Sequence, residues 1–311
     1  AVADRWAFDW PIPQNIRPLI VRDASDVEGV TGDVDFVFCA VDMKKDEIRA
    51  LEDAYARSET PVVSNNSAHR GTPDVPMIVP ELNPQHADII EYQRKRLGTK
   101  VGFVTVKPNC SIQSYVPALT ALYDLKPTRV STYQAISGAG KTFKRWPEMI
   151  DNVIPYIGGE EEKSEQEPLK IWGHIENGVI VPAKSPIISA HCVRVAVADG
   201  HLATCWASFE KPATKEEIIE RWRSFEGLPQ KMNLPSAPHP FLQYFEEDNR
   251  PQTHLDRDFE HGMGISLGRL RGDSLFDWRF VGLSHNTLRG AAGGAVLIAE
   301  LLCAQGYIPK K

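Results

Sequence analysis

Short apolar segments alternate with segments of helical periodicity over the first 125 residues of this 311-residue chain. Val34–Val41 is an apolar run rich in β-branched and aromatic residues, which is typical of a buried strand. Lys44–Arg57 follows it with apolar residues on one helical face. The pattern continues with predicted strands at Pro61–Ser64, Met77–Val79 and Val101–Val106 and with predicted helices at His86–Leu97 and from Ser111 to about Leu125. Strands that alternate with helices at this spacing predict a parallel, doubly wound (Rossmann-like) α/β sheet.

After Thr128 the pattern changes to longer β-type segments with few helices between them. The strand-like segments are Thr128–Gln134, Val179–Val181, Val193–Ala198 and Leu202–Phe209, and the helix-like segments are Lys215–Phe225 and Asn286–Gln305. This mixture predicts a second domain of the α+β class with a more antiparallel sheet. The chain is long enough for two domains that each bury a core.

One expected element is missing from the first part of the chain. A doubly wound nucleotide-binding domain ordinarily opens with a strand, a glycine-rich turn and a helix, because the turn lays its N–H groups against a pyrophosphate. No such unit precedes Val34. The predicted nucleotide-binding fold therefore lacks its first βαβ unit here, and we expect weak cofactor binding and low activity from these residues alone.

Charge and composition argue against several classes of protein. A net charge of −6 argues against nucleic acid as the main partner, and no apolar run approaches eighteen residues, which a membrane-spanning helix needs. Ala1–Trp10 lacks the apolar stretch of a signal peptide. The five cysteines are odd in number and form no C-x-x-C pair, so we predict no metal site and a reducing, cytoplasmic location.

Cys110 is the first candidate for chemistry. The segment Lys107–Ser111 lies between a predicted strand and a predicted helix, so Cys110 meets free N–H groups and the positive end of a helix dipole. These favour the thiolate, which attacks carbonyl carbon, and they can stabilise the resulting oxyanion. The alternative is a residue selected for helix capping alone.

The second candidate is the pair Arg194 and His201. A two-residue hairpin turn at Asp199-Gly200 would pair Ala198 with His201, and alternation would then put Arg194 on the same face. The two backbones would be about 13 Å apart, a gap that a small carboxylic acid and the two side chains could fill. Arginine holds a carboxylate in a two-point fork, and histidine transfers protons near neutral pH. The alternative is an ordinary exposed hairpin.

A third motif points to a different class of protein. Ala135–Thr142 loosely matches the phosphate-binding loop of nucleotide triphosphatases, and Val195–Asp199 could supply a magnesium-binding aspartate. Such a loop must open directly into a helix, whereas Pro147 lies where an interior helical residue should be. A triphosphatase is therefore a distant alternative, as is a cysteine hydrolase that needs no cofactor.

Six ordered motifs together resemble aspartate-semialdehyde dehydrogenase, in the branch shared by archaea, fungi and some bacteria. The resemblance spans Val34 to Leu302. The motifs are Ser64–Arg70 (SNNSAHR), Pro108–Ser111 (PNCS), Tyr133–Gly140 (YQAISGAG), Gly159–Lys163 (GEEEK), Arg194 with His201, and Asn286–Gly294 (NTLRGAAGG). This family reduces an acyl phosphate to an aldehyde with NADPH, reversibly, and the resemblance implies the same reaction here.

The resemblance also implies roles for individual residues. Cys110 would be the nucleophile that forms a thioester, His201 the general acid/base, and Gln134 a residue that positions the cysteine and the substrate. The expected substrate contacts are Arg194 to the α-carboxylate, Glu160 to the ammonium group, and Arg70, Asn109 and Lys163 around the phosphate. The expected contacts to NADP are Ser137, Gly138 and Asn286.

The resemblance further implies two domains and a homo-oligomer. We predict a nucleotide-binding domain over residues 1–107, completed by the C-terminal helix at 285–311, and a catalytic and dimerisation domain over 108–284. A homodimer or a dimer of dimers would act on a small-molecule substrate and inorganic phosphate, without nucleic acid or membrane. A malonyl-CoA reductase of the same fold is the alternative, although its substrate lacks the ammonium group that Glu160 would bind. His285 departs from the family, which ordinarily carries aspartate there.

Overall fold

The computed structural model describes residues 1–6, 11–122 and 125–310. Residues 7–10 belong to Ala1–Trp10, the segment predicted above to lack a signal peptide, and they lie outside the described residues. The same holds for residues 123–124, near the predicted end of the helix after Ser111, and for residue 311, the last of the predicted nucleotide-binding domain. No helix in the described part of the chain is both long and apolar enough to cross a bilayer.

The strands and helices have the following bounds. The strands are β1 (Val37–Cys39), β2 (Val62–Ser64), β3 (Val104–Val106), β4 (Leu125–Gln134), β5 (Val153–Ile154), β6 (His174–Glu176), β7 (Val179–Val181), β8 (Ile188–Val195), β9 (His201–Phe209), β10 (Leu242–Phe245), β11 (Ile265–Gly272) and β12 (Trp278–Ser284). The α-helices are α1 (Val27–Thr31), α2 (Lys45–Arg57), α3 (Ile90–Leu97), α4 (Val116–Thr120), α5 (Glu160–Ile171), α6 (Lys215–Arg223), α7 (Leu228–Lys231), α8 (Thr253–Asp256) and α9 (Gly293–Ala304). Short 3₁₀ segments lie at Val2–Arg5, Pro84–Ile89, Ser111–Ser114, Ile136–Ala139, Pro147–Met149 and Phe259–Gly262, and a π-helical turn lies at Leu288–Ala292.

The first part of the chain forms a parallel sheet in the order β1-β2-β3. Strands β2 and β3 are buried on both faces, which explains their β-branched sequences. Helix α2 buries Ile48 and Tyr55, and the N–H of Lys44 donates to the Glu47 carboxylate at its first turn. The C-terminal helix α9 returns to this sheet, where its leucines and Ile298 share an apolar core with Val63.

The second part forms a mixed sheet in the order β10-β11-β12-β9-β4-β8-β5. The helical segment after β3 packs between the two sheets, because Ile112 and Leu119 share one apolar core with Val106 of β3 and Cys205 of β9. Cys110, at the start of that segment, therefore lies at the junction of the two sheets. The predicted fold class, a Rossmann-like parallel sheet followed by an α+β part, is confirmed.

Several predicted elements are wrong in detail. Met77–Val79 forms an isolated bridge from Met77 to Val106 rather than a strand, and the predicted helix His86–Leu97 divides into a 3₁₀ turn and α3. The predicted helix from Ser111 to about Leu125 is broken at Tyr115 and ends at Thr120. Pro117 explains the break, because it lacks an N–H group and restricts the residue before it.

The predicted hairpin at Asp199-Gly200 is also wrong. Strands β8 and β9 do not pair with each other, because β4 lies between them, parallel to β8 and antiparallel to β9. Ala198 accepts a hydrogen bond from Ser137 N–H instead of pairing with His201. The insertion of β4 nevertheless brings Arg194 and His201 to the same place, at the end of β4.

The phosphate-loop alternative is excluded by the backbone. After β4, residues 136–139 form a single 3₁₀ turn that ends at Gly140, and no α-helix begins before Glu160 in this part of the described chain. Lys141 is exposed. Ala135–Thr142 therefore cannot cradle a triphosphate at a helix N-terminus.

Candidate active site

An open cleft of about 360 Å³ lies where the ends of β3 and β4 meet the starts of α5 and the π-helical turn. Eight of the eleven predicted site residues line it, namely Arg70, Asn109, Cys110, Ser137, Gly138, Glu160, Lys163 and Asn286. The other three, Gln134, Arg194 and His201, are buried beside it. The structure thus brings the whole predicted set into one place.

Cys110 is half-buried at the start of the 3₁₀ turn Ser111–Ser114. The Asn109 side chain caps this turn, because its Oδ1 accepts hydrogen bonds from Ser111 N–H (2.8 Å) and Ser111 Oγ (2.7 Å). Gly290 of the π-helical turn lies so close that a β-carbon there would be 2.7 Å from Cys110 Cβ. Backbone packing therefore fixes the Cα and Cβ of Cys110 at the lining of the cleft.

The electrostatic setting of Cys110 differs from the one predicted. The expected helix is a single 3₁₀ turn, which carries little dipole. Burial raises the pKa of the Cys110 thiol above its ordinary value, and Glu160 adds to this. The positive charges of Lys107, Arg70 and Arg194 act in the opposite direction, with Lys107 the strongest. Side-chain charges, more than a helix dipole, therefore favour the thiolate.

Glu160 is buried at the first position of α5 and is the centre of a hydrogen-bond network. Its carboxylate accepts from Asn109 Nδ2 (2.9 and 3.0 Å), Gln134 Nε2 (3.2 Å) and Lys163 Nζ (2.8 Å). Burial alone would raise the pKa of Glu160, but the hydrogen bond and charge of Lys163 and the amide donors hold that pKa below its ordinary value. The site therefore contains a fixed, ionised carboxylate.

Arg70 is held by three hydrogen bonds. Its Nε donates to Lys107 O (3.0 Å), its Nη2 to Asn65 O (3.2 Å), and its Nη1 to the Glu167 carboxylate (3.0 Å). Glu167 also accepts the Asn109 N–H at 2.5 Å. The guanidinium and the segment before Cys110 are thus fixed by the same buried carboxylate.

Arg194 and His201 are both held by the backbone of Ala135. Arg194 Nη1 donates to Ala135 O (2.7 Å), and Ala135 N–H donates to His201 Nδ1 (3.1 Å). Nδ1 is therefore the acceptor, and Nε2 carries the proton of the neutral ring. Burial, together with the charge of Arg194, lowers the pKa of His201 to about 3, so the ring is neutral near pH 7.

His201 Nε2 is buried and has no hydrogen-bond partner among the described residues. It lies against Gly138, where an added β-carbon would be 2.9 Å from both His201 Nε2 and Arg194 Nη1. Asn286 closes this side of the cleft, since its Nδ2 donates to Ser137 Oγ (2.8 Å) and its Oδ1 accepts from Gly200 N–H (2.8 Å). The Nε2–H of His201 and the guanidinium of Arg194 therefore both lie against Gly138 at this side of the cleft.

Two buried charged residues at the site, Lys107 and Glu167, are absent from the set predicted from the sequence. Lys107 directly precedes the motif that contains Cys110, and its ammonium donates to Pro108 O (2.6 Å). Glu167 lies two turns after Glu160 on the buried face of α5. The helical spacing of Glu160, Ser164 and Glu167 was the available signal for Glu167.

His285, the residue that departs from the family pattern, has a structural role. Its Nδ1 accepts from the N–H groups of Thr287 and Leu288, each at 3.3 Å, and so caps the start of the π-helical turn. A carboxylate could accept the same bonds. Within residues 1–6, 11–122 and 125–310, no group of three or more His, Cys, Asp and Glu side chains is arranged to hold a metal ion.

Comparison with known proteins identifies the class. Residues 2–90 match the model of the NAD binding domain of semialdehyde dehydrogenases, and residues 116–289 match the model of their dimerisation domain. The chain belongs to the semialdehyde dehydrogenase family. Its relatives include many enzymes named aspartate-semialdehyde dehydrogenase, as the resemblance predicted. The hypothesis of a hydrolase without cofactor is thereby wrong.

Three relatives define the position of the chain within this family. The aspartate-semialdehyde dehydrogenase of Methanothermobacter thermautotrophicus is 40% identical over 302 residues, which cover 96% of this chain and 85% of the relative. The malonyl CoA reductase (NADP) of Metallosphaera sedula is 35% identical over 313 residues, 99% of this chain and 86% of the relative. The crystal structure of aspartate semialdehyde dehydrogenase with NADP from Candida albicans superposes with a TM-score of 0.87 at 34% identity, over 98% of this chain and 88% of that one.

Proposed function

We propose that this protein is an NADP-dependent aspartate-semialdehyde dehydrogenase that reversibly converts L-aspartyl 4-phosphate to L-aspartate 4-semialdehyde and phosphate. The observation that carries the proposal is the arrangement around one cleft of the Cys110 sulfur, the neutral His201 ring, the ionised Glu160 and two cations, Arg70 and Lys163. The product is a precursor in lysine, threonine and methionine biosynthesis. Similarity to archaeal and fungal enzymes of this name supports the same activity.

Catalysis begins at Cys110. Its thiolate attacks the acyl carbon, the carbon–sulfur bond forms, and the carbonyl becomes an oxyanion. The Nε2–H of His201 stabilises that oxyanion, and the carbon–oxygen bond to phosphate then breaks. Arg70 and Lys163 bind the departing phosphate, and Asn109 holds the segment that carries the sulfur. Gln134 positions the cysteine and the substrate through its bond to Glu160.

NADPH, when bound, supplies the hydride that reduces the resulting thioester. The Nε2–H of His201 donates a hydrogen bond to the oxyanion that results and keeps its proton, because the ring is neutral. The oxyanion then re-forms the carbonyl, the carbon–sulfur bond breaks, the aldehyde leaves and Cys110 is released as the thiolate. Because His201 Nδ1 accepts from Ala135 N–H, Nε2 is the ring nitrogen that carries the proton.

The substrate is recognised by opposite charges at its two ends. The Arg194 guanidinium binds the α-carboxylate, and its orientation is fixed by Ala135. Glu160 binds the α-ammonium group. Malonyl-CoA has no ammonium group, so a buried, ionised Glu160 favours the aspartyl substrate over the malonyl one. Malonyl-CoA reduction is the second candidate function, because the M. sedula relative is named malonyl CoA reductase.

The residues at the far wall of the cleft fit a nicotinamide. Ser137, Gly138 and Asn286 are small or amide residues, and Gly290 packs its backbone closely against Cys110. Asn286 is held rigidly by two hydrogen bonds, so its amide and the Ser137 hydroxyl present fixed polar atoms. These residues would hold the carboxamide side of NADP against the reacting carbon.

A homodimer, or a dimer of two such dimers, is part of the proposal. The matched dimerisation domain supports it, and so do exposed apolar side chains of the second domain, including Tyr133, Val153 and Ile187. We place the division between the nucleotide-binding domain and the catalytic domain at Lys107 and Pro108, with residues 285–311 returning to the first. The location we propose is the cytoplasm.

Enzyme assays on the full natural chain test the proposal. Aspartate semialdehyde, NADP and inorganic phosphate are mixed, and nicotinamide absorbance is followed. We expect phosphate-dependent formation of NADPH, with arsenate able to replace phosphate. In the matched assay, malonyl-CoA should oxidise NADPH far more slowly. Turnover of malonyl-CoA without turnover of aspartate semialdehyde would establish the second candidate instead.

A further inference from the structure

Lys107 is a buried lysine three residues before the reactive cysteine. Its backbone is fixed on both sides, since its N–H donates to Ser64 O (2.8 Å) and its carbonyl accepts from Arg70 Nε. Its side chain is 3% exposed and lies against Gly294 of α9. Among the described residues, the hydrogen bond that the ammonium makes is to Pro108 O. Burial of a charged lysine costs free energy unless an anion lies close to it.

The charges around Lys107 leave it without a carboxylate of its own. Arg70 is paired with Glu167 at 3.0 Å, and Arg289 is paired through both guanidinium nitrogens with Glu81 at 2.7 and 2.5 Å. Arg70, Arg289 and Lys107 therefore have two carboxylates between them, because Glu160, the other buried carboxylate at the cleft, is paired with Lys163 at 2.8 Å. Among these groups, the acidic one that has no cation of its own is the thiol of Cys110, three residues after Lys107.

We propose that Lys107 is a positioning residue whose ammonium stabilises the thiolate of Cys110 from inside the fold. The thiol proton leaves to water, Lys107 keeps its own protons, and the two charges offset each other. The proposal rests on the proposed function of Cys110 as nucleophile. Lys107 does not touch the substrate, because it does not line the cleft.

The mutual influence of the two groups supports this pairing. Among the groups that act on Cys110, Lys107 is the strongest of those that lower the thiol pKa, ahead of Arg70 and Arg194, while burial and Glu160 raise it. Burial, with Arg70 and Arg289, lowers the pKa of Lys107 to about 7, and Cys110 and Glu167 oppose that shift. Each group therefore favours the charged form of the other.

The pH dependence of alkylation tests the proposal. Iodoacetamide is reacted with the full chain in a Cys303→Ser background, because Cys303 is exposed whereas Cys39, Cys192 and Cys205 are buried. Labelling of the peptide that contains Cys110 is followed by mass spectrometry. In Lys107→Met we expect the pH midpoint to rise by about one unit or more, with labelling near pH 7 slowed about tenfold. Lys107→Arg should keep the midpoint close to that of the wild type.

Two further results would overturn the proposal. One is an unchanged midpoint in Lys107→Met. The other is an equal shift in Lys170→Met, the matched control, whose buried ammonium binds the carbonyls of Arg70, Thr72 and Val75. If thermal unfolding shows that Lys107→Met is poorly folded, Lys107→Arg decides alone: a midpoint about one unit or more above the wild-type value would contradict the proposal. Labelling needs neither substrate nor cofactor, so it fails or succeeds independently of the dehydrogenase assay.

Discussion

The guanidinium of Arg194 and the imidazole of His201 lie side by side because the backbone of Ala135 binds both. The carbonyl of Ala135 accepts from the arginine and its N–H donates to the histidine, so one peptide segment sets two functional groups. The segment continues directly into Gly138, which lies against both side chains. Small changes at this turn should therefore affect catalysis more than folding.

Gly138→Ala tests this arrangement. The added β-carbon would lie 2.9 Å from Arg194 Nη1 and His201 Nε2, so one or both side chains must shift. Because misplacement by about 1 Å can cost about 100-fold in rate, we expect kcat/KM to fall at least tenfold with little change in thermal stability. Gly272→Ala is the control, since a β-carbon there meets nothing within 4 Å. Full activity of Gly138→Ala would show that the turn does not constrain the pair.

The stability of the protein should depend on pH through His201. Its pKa is lowered to about 3 in the folded state from about 6.5 in the unfolded state. Between these values the unfolded chain binds a proton that the folded chain does not, so stability is lost as pH falls below about 6.5. Denaturant unfolding of His201→Asn should show a weaker loss over that range. His174 is exposed, so His174→Asn, the control, should lose stability with falling pH as the wild type does.

Removal of the charge on Glu160 should weaken substrate binding. In Glu160→Gln the carboxylate that Lys163 neutralises is lost, and with it the partner proposed for the α-ammonium group. We expect KM for aspartate semialdehyde to rise and kcat/KM to fall by about 10- to 100-fold, which corresponds to about 1.4 to 2.7 kcal/mol. Glu162 is an exposed residue of the same helix, so Glu162→Gln should leave KM and kcat/KM unchanged. Equal effects of the two substitutions would argue against a specific role for Glu160.

Glu167 should matter to both stability and phosphate use. Glu167→Ala removes the acceptor for Arg70 Nη1 and for Asn109 N–H and leaves a largely buried guanidinium unpaired. Breaking a buried ion pair in this way costs about 3 kcal/mol. We expect a lower free energy of unfolding by denaturant and a higher KM for phosphate. Gln166→Ala, at the neighbouring exposed position, is the control, and a variant as stable as the wild type would contradict this account of Glu167.

The sequence predicts local features of this fold better than long-range ones. Val62 and its neighbours are predicted to form a buried strand because the residues on both faces are apolar. Helix α2 is predicted from the helical spacing of its apolar residues. The strand order that brings Arg194 and His201 together could not be deduced, because the strand that separates them, β4, comes about 60 residues earlier in the chain. The hairpin hypothesis paired β9 with the segment that precedes it in sequence, whereas in the structure β9 pairs with the distant strand β4.

The candidate site shows the same division. Residues in ordered motifs, such as Cys110 and Glu160, could be proposed from the sequence because family resemblance marks them. Lys107 and Glu167 could not, since a lysine and a glutamate look like surface residues until burial and pairing are known. Their importance comes from contacts with residues distant in sequence, such as Arg70 with Glu167.

The central claim is that Cys110 carries the acyl group, and a trapping experiment tests it most directly. Full-length protein is mixed with aspartate semialdehyde and NADP in the absence of phosphate, quenched with acid, digested and analysed by mass spectrometry. We predict an aspartyl adduct on the peptide that contains Cys110, lost when phosphate is added before the quench and absent from Cys110→Ser. NADPH formation at the wild-type rate by Cys110→Ser, or an adduct on another residue, would contradict the account.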